Sequence, residues 1–302
     1  MTITIRSTVS NPQIGRLNRS TRTNAALAAA IAAVAPEYLS ISEQLERLTR
    51  TAAKVLPLLT DDDLAADLTA RLAVGDDVPA DLLTTVAGMP DAGTAWTRAS
   101  TILNGIAQRL GEERDNLLHD RREAIQANLA RQLADLFDTL PPEARNAPRS
   151  SQAAIAADAV EGFKAAQTAA ATYATIRDAQ MQLARATWSI EFTGPATWWP
   201  ILGFIAAPDD AWHDLLSWRA TGRARNEYGN TLPVTPPWPD LHTAEAFNWL
   251  LDHPKARPWI PTANEYDEAV SRLNTATDQP PKRERGDDPD PMRPPNYAAS
   301  RL

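Results

Sequence analysis

No cysteine occurs in the 302 residues. Disulfides, thiolate nucleophiles and cysteine-ligated zinc are therefore excluded. Histidine is scarce, with only His119, His213, His242 and His253, and no H-E-x-x-H spacing relates them. No G-x-x-x-x-G-K-S/T loop, G-x-G-x-x-G turn or G-x-S-x-G elbow is present. The residues thus assign no nucleophile, general base, metal site or cofactor. Lysine is nearly absent too: Lys54, Lys164, Lys255 and Lys282 are all there are, so the positive charge is almost wholly arginine. With abundant alanine, that bias reads as the coding habit of a GC-rich genome, such as an actinobacterium or one of its phages. Finally, residues 1–36 hold no acid.

What is present suffices for a folded protein. The hydrophobic fraction is 43%, enough to bury a core. Net charge is −8 and the pI is near 5.1. A chain of that charge is not expected to bind nucleic acid specifically, because neutralising phosphates needs a basic surface.

The acid-free start carries Arg6, Arg16, Arg19 and Arg22, followed by an apolar run from Ala25 to Ala35. A basic start, an apolar stretch and Ala33-Val34-Ala35 resemble a secretory signal. The long leader, the alanine-rich run and Pro36 after the cut argue against it. We read residues 1–26 as a flexible basic arm, either a solvated tail or an element that docks on an acidic partner. The expected location is the cytoplasm or a virion.

From Leu27 the apolar positions step by four and three through Ile31, Val34, Tyr38, Ile41, Leu45 and Leu48, a heptad seam. Pro36 interrupts it, and Ser40 with Glu43 forms a capping box from which a new helix is expected. Thr60 before Asp61, Asp62 and Asp63 reads as a helix cap rather than a cation site, since no second carboxylate cluster accompanies it. A short helix is expected from Pro79 to Val86.

A long helix is expected from Thr94 to Leu140, with a seam of Leu103, Ile106, Leu110, Leu117, Ile125, Leu129, Leu133, Leu136 and Leu140. Pro141, Pro142 and Pro148 turn the chain. Ser150 or Ser151 caps a second helix reaching Trp188, with a small-residue seam of Ile155, Ala159, Gly162, Ala166, Ala169, Tyr173, Ile176 and Leu183. One tight connection makes the pair an antiparallel hairpin, each arm on the order of 60 Å long. Two arrangements remain open: an extended rod, or a bundle with the first helices alongside. The charged stretch from Glu112 to Glu123, with Arg114 and Arg121 near the seam, is read as a solvated face.

Composition changes at Ile190. Eight of the nine tryptophans lie between Trp188 and Trp259, and proline thickens with them. Residues 192–208 carry no charge but are too short and proline-broken to cross a bilayer. They could still touch a membrane interface through 192–207. Trp198, Trp199, Trp212 and Trp218 are candidate binding residues, since tryptophan concentrates at binding hot spots; the competing reading makes them a subdomain core. Helices are expected at 209–224, 243–251 and 262–273, the last with a Thr262–Glu265 capping box. Residues 232–239 read as extended polyproline. Arg219, Arg223 and Arg225 gather near one helix end and form a candidate anion patch. His213-Asp214 and Asp252-His253 are sequence neighbours rather than dyads.

The fold expected is all-α: a basic arm (1–26), short helices (27–92), a long helical hairpin (93–190), a Trp/Pro-rich helical subdomain (191–277) and a disordered tail (278–302). The function expected is non-enzymatic, a structural or partner-binding protein such as a virion or assembly component acting through self-assembly or a protein partner. An envelope module that binds lipid or glycan, and an enzyme without a short motif, are the alternatives.

Overall fold

The computed structural model describes residues 12–54, 92–188, 198–213, 215–216, 218, 223–225, 231–233 and 238–278. The expected cap at Thr60, the helix at 79–86 and the tail beyond 278 lie outside them. The described helices are α1 (Pro12–Ser20), α2 (Ala25–Val34), α3 (Pro36–Lys54), α4 (Ala92–Asp138), α5 (Pro142–Arg145), α6 (Ser151–Ala156), α7 (Val160–Thr187), α8 (Trp199–Leu202), α9 (Pro208–Ala211), α10 (Ala244–Asp252) and α11 (Ala263–Asp278). One antiparallel ribbon, β1 (Arg223–Arg225) with β2 (Thr231–Pro233), is the sheet among these residues. The fold is all-α.

The spine is α4, whose 47 residues span about 70 Å at 1.5 Å each. Helix α7 packs along it as the second arm of the expected hairpin. The arrangement is a bundle and not a free rod, because α2 and α3 also pack on α4. The reason is a seam that one partner cannot cover. Toward the N-terminal end of α4, Leu103, Ile106 and Leu110 meet Ile41 and Leu48 of α3. Further along, Leu118, Ile125, Leu129 and Leu133 share a core with α2 and α7. That core also takes in Phe204, Leu241, Phe247, Leu250 and Ile260, so the Trp/Pro-rich segment is built onto the bundle.

Local signals explain most boundaries. The Ser150 hydroxyl accepts from the Ala153 amide at 3.2 Å and opens α6. Thr262 and Glu265 make the reciprocal capping box, with 2.7 and 3.3 Å bonds. Three expectations are corrected. Residues 12–20 are helical rather than part of a flexible arm, because Ile14 and Leu17 fall on one face and bury against α7. The helix after the Pro36 break begins at Pro36 itself, not at Ser40: proline is favoured at a first helical position, where its missing N–H costs nothing. The second arm is not continuous. Asp158 adopts φ +50°, and its amide and that of Ala159 turn back to Ile155 and Ala154, closing α6 with a Schellman motif. Ile155, expected in the seam, is consequently 69% exposed.

Between the two clusters along α4 lies a polar layer. Arg114 is buried and pairs with Asp115 at 3.3 Å, while Tyr38 donates to Asn18. The solvated reading of this stretch holds for the exposed Arg121 and fails for Arg114, which is buried where α3 packs on α4 beside Tyr38. Burial pushes the Tyr38 phenol up to about 12, with the nearby Arg114 charge opposing it. The folded state therefore binds the phenol proton more tightly than the unfolded chain does. This contribution is complete below pH 10 and is lost as pH rises through about 12, by about 2–3 kcal/mol. Denaturation across that window should show the loss, and Tyr38→Phe should flatten the slope. An unchanged slope in Tyr38→Phe would assign the loss to other groups.

Gly162 marks the closest approach of helices. A Cβ there would sit 2.5 Å from the Glu143 carbonyl oxygen of α5. Alanine would gain about 1 kcal/mol of helix propensity but force the backbones apart at about 1–3 kcal/mol. Gly162→Ala should therefore lower the denaturation midpoint; a stabilised variant would refute the steric account.

Candidate functional site

The tryptophans come first, since the sequence singles them out. Trp198 and Trp199 are 5% and 2% exposed, packed with Trp188, Leu202, Tyr266 and Leu273. The Trp199 ring lies 5.4 Å from that of Trp188 and 5.6 Å from Tyr266, edge-on or tilted. Such pairs add about 0.5–1.5 kcal/mol beyond area burial. Trp212 and Trp218 are half-buried and meet each other at 5.6 Å, with Trp238 5.3 Å from Trp212. At 198–199 the indole faces are thus interior, turned away from lipid or glycan. Residues 189–197 lie outside the described residues, while 198–199 and 201–205 are buried and Pro200 is exposed.

The anion patch of the sequence is rearranged. The helix expected over 209–224 is broken at Trp212, whose extended φ and ψ (−147° and 103°) end α9; residues 215, 216 and 218 are helical again. Arg223 and Arg225 lie on β1, opposite Pro233 and Thr231, rather than at a helix end. Residues 232–233, expected as the start of the polyproline stretch, belong to β2; Arg219 lies outside the described residues.

A buried arginine holds the Trp/Pro-rich segment to the bundle. Arg177 of α7 is fully buried, and burial pushes its pKa below the ordinary value. It donates to the carbonyls of Trp259 (2.7 Å) and Phe204 (3.0 Å) and to Gln180 Oε1 (2.8 Å). Its guanidinium also lies over the Tyr173 and Phe204 rings, 4.9 and 5.2 Å from their centroids. Gln180 donates to the Gly203 carbonyl at 2.5 Å and Gln126 to that of Pro261 at 3.2 Å. Three polar side chains thus take up carbonyls of two irregular strands, 203–205 and 257–261, which bridge at Ile205 and Pro258. These groups are spent on structure.

A basic cleft is different. Between α1 and α7 lies an opening of about 300 Å³ lined by Arg16, Leu17, Arg19, Ser20, Asp178, Gln182 and Arg185. All three arginines are exposed, and none forms an ion pair among the described residues. The single carboxylate, Asp178, is held by amides: its Oδ2 accepts from Gln182 at 2.6 Å and from Asn24 at 3.1 Å. Asn24 also caps α2 through the Leu27 amide at 3.0 Å and donates to the Thr175 carbonyl at 2.9 Å. One residue thereby ties the turn between α1 and α2 to α7. Arg19 and Arg185 sit in the last turns of their helices, where the dipole favours a cation by about 0.3–1 kcal/mol. The dipole accounts for each singly. It does not account for their meeting, with Arg16, around one opening.

Of these lining residues the sequence singles out Arg16 and Arg19, as members of an arm. Arg185 and Asp178 carry no local signal, since only the docking of α1 gives them neighbours. Elsewhere, Asp252 pairs with Arg149 at 2.7 Å rather than with His253, and Asp214 lies outside the described residues. His253 bonds to the Trp249 carbonyl at 2.8 Å and stacks on that indole at 4.3 Å. His242 instead meets Asp240 at 2.6 Å on the surface. No group of three or more histidine or acidic side chains is placed to hold a metal ion among the described residues. No described helix is by itself long and apolar enough to cross a membrane; α2 with α3 passes on length and composition only as a pair bent by 112°. No protein-family model, no curated protein and no solved structure matches the chain.

Proposed function

We propose that this chain is a non-enzymatic partner-binding protein, of the kind that serves an assembly, and that it receives an anionic element of its partner in the cleft between α1 and α7. The observation that carries the reading is the meeting of Arg16, Arg19 and Arg185 without a carboxylate partner, in a chain whose net charge is −8. Guanidinium groups are planar forks that recognise carboxylate and phosphate oxygens with two parallel hydrogen bonds. Left facing water they contribute little to stability. Desolvated by a partner's anion they contribute affinity and orientation.

The test uses the full chain and a labelled hexaglutamate peptide. Binding is expected to weaken steeply between about 50 and about 500 mM salt, as screening requires. Arg19→Glu should reduce it roughly tenfold or more, since a charged hydrogen bond contributes about 1.5–3 kcal/mol. Light scattering after size exclusion, across a tenfold concentration range, separates partners from self-association. Salt-insensitive binding, or binding indifferent to Arg19→Glu, would refute the role of the cleft.

A further inference from the structure

We infer that the anionic element this cleft takes is the doubly charged phosphate of a phosphomonoester, a step that rests on the partner-binding reading above. Charge is the first reason. Three guanidiniums face one carboxylate, leaving a net charge of plus two in an opening of about 300 Å³. A phosphomonoester carries about −1.5 to −2 near neutral pH and matches it, whereas a single carboxylate or a phosphodiester brings only one negative charge.

Geometry is the second reason. Arg16 and Arg19 stand three residues apart on α1, so they are neighbours on its surface. Arg185 approaches from α7. Donors arriving from two helices can engage several terminal oxygens of one phosphate. A carboxylate offers two oxygens in one plane, and a single fork is enough to satisfy it.

Asp178 supplies the third reason. It is held at the edge of the same opening by Asn24 and Gln182, and its charge is not drawn off by the arginines. A fixed carboxylate beside the opening repels a second phosphate in line with the first. That disfavours a nucleic-acid backbone, which needs an extended basic track, and favours one terminal group. Because the arginines belong to different helices, the bound phosphate would staple α1 to α7.

Phenyl phosphate, dimethyl phosphate, acetate, a single-stranded oligonucleotide and hexaglutamate serve as probes, titrated calorimetrically at one ionic strength. Phenyl phosphate is expected to bind roughly tenfold or more tightly than dimethyl phosphate or acetate. Arg185→Lys keeps the charge but loses the fork, and should weaken phenyl phosphate several-fold with an unchanged melting temperature. Arg109→Gln, at an exposed arginine of α4 that does not line the cleft, should change nothing. Inorganic phosphate that binds as well as the phenyl ester would support the same chemistry from a free anion; an ester preference points to a modified side chain or a nucleotide. Equal binding of the diester, or tight binding of the oligonucleotide alone, overturns the inference. If hexaglutamate binds in an Arg19-dependent way while phenyl phosphate does not, the phosphate assignment falls and the partner-binding reading stands. If no anion binds, both fall.

Discussion

Trp199→Ala is expected to destabilise the protein by about 3–5 kcal/mol, the range for truncating a buried large aromatic to alanine. The indole is 2% exposed and lies at the middle of the aromatic cluster. Its ring meets Trp188 at 5.4 Å, Tyr266 at 5.6 Å and Phe204 at 6.0 Å. Truncation would lose these contacts and open a cavity that the surrounding rings cannot close, since they come from α7, α11 and the segment after α8. Denaturant unfolding followed by tryptophan fluorescence measures the loss. A variant that keeps its stability but loses affinity for lipid vesicles or glycans would return Trp199 to the surface and revive an envelope role. Trp218→Ala, at a half-buried ring, should cost less.

The second large effect concerns Arg177→Met. Methionine fills a similar volume and removes a charge that is costly to bury. It also strands two acceptors, the Trp259 carbonyl and the Gln180 amide oxygen, and leaves the Phe204 carbonyl with the Trp259 amide as its remaining donor. Each stranded acceptor costs about 1–3 kcal/mol, and part is offset by relief from burying the guanidinium. We expect a net loss of about 3 kcal/mol. The readout that distinguishes this from a general weakening is local. The Ala206 and Trp259 amides, bonded to Arg257 and Phe204, should exchange with solvent much faster, while those in the middle of α4 change with global stability alone. Arg177→Lys should be at least as damaging, because an ammonium is more strongly hydrated and lacks the planar fork. If lysine substitutes without loss, the fork geometry is not what holds the two strands.

Much of the architecture is legible in local rules. The alternation of threes and fours places Leu103, Ile106, Leu110, Ile125, Leu129 and Leu133 on the buried face of α4, as the structure has them. Heptad counting slips in the middle, where Leu118 rather than Leu117 is fully buried. A straight helix at 3.6 residues per turn drifts from a seven-residue repeat by about 20° each time. Caps are equally local: Ser150 and the Thr262–Glu265 box act within three residues of themselves. The break at Asp158 escapes such reading because aspartate in a left-handed conformation is only occasional, and nothing nearby in the sequence demands it.

By itself, then, the sequence determined the all-α class, the long first arm of the hairpin, its proline turn and the caps at Ser150 and Thr262, because these follow from interactions a few residues apart. Only the tertiary structure decided three things. It decided that the hairpin is sheathed by α2 and α3, because a seam records what must be buried and not by which partner. It decided that Trp198 and Trp199 are core, because the same apolar residue type serves interior and interface alike. And it decided that Arg177 is spent on carbonyls inside while Arg185 joins Arg16 and Arg19 around an open cleft. Two arginines eight positions apart on one helix are chemically identical in sequence; their environments differ because α1 and the segment after α8 dock on different faces of α7, and docking is a sum of contacts between residues from 27 to 154 positions apart.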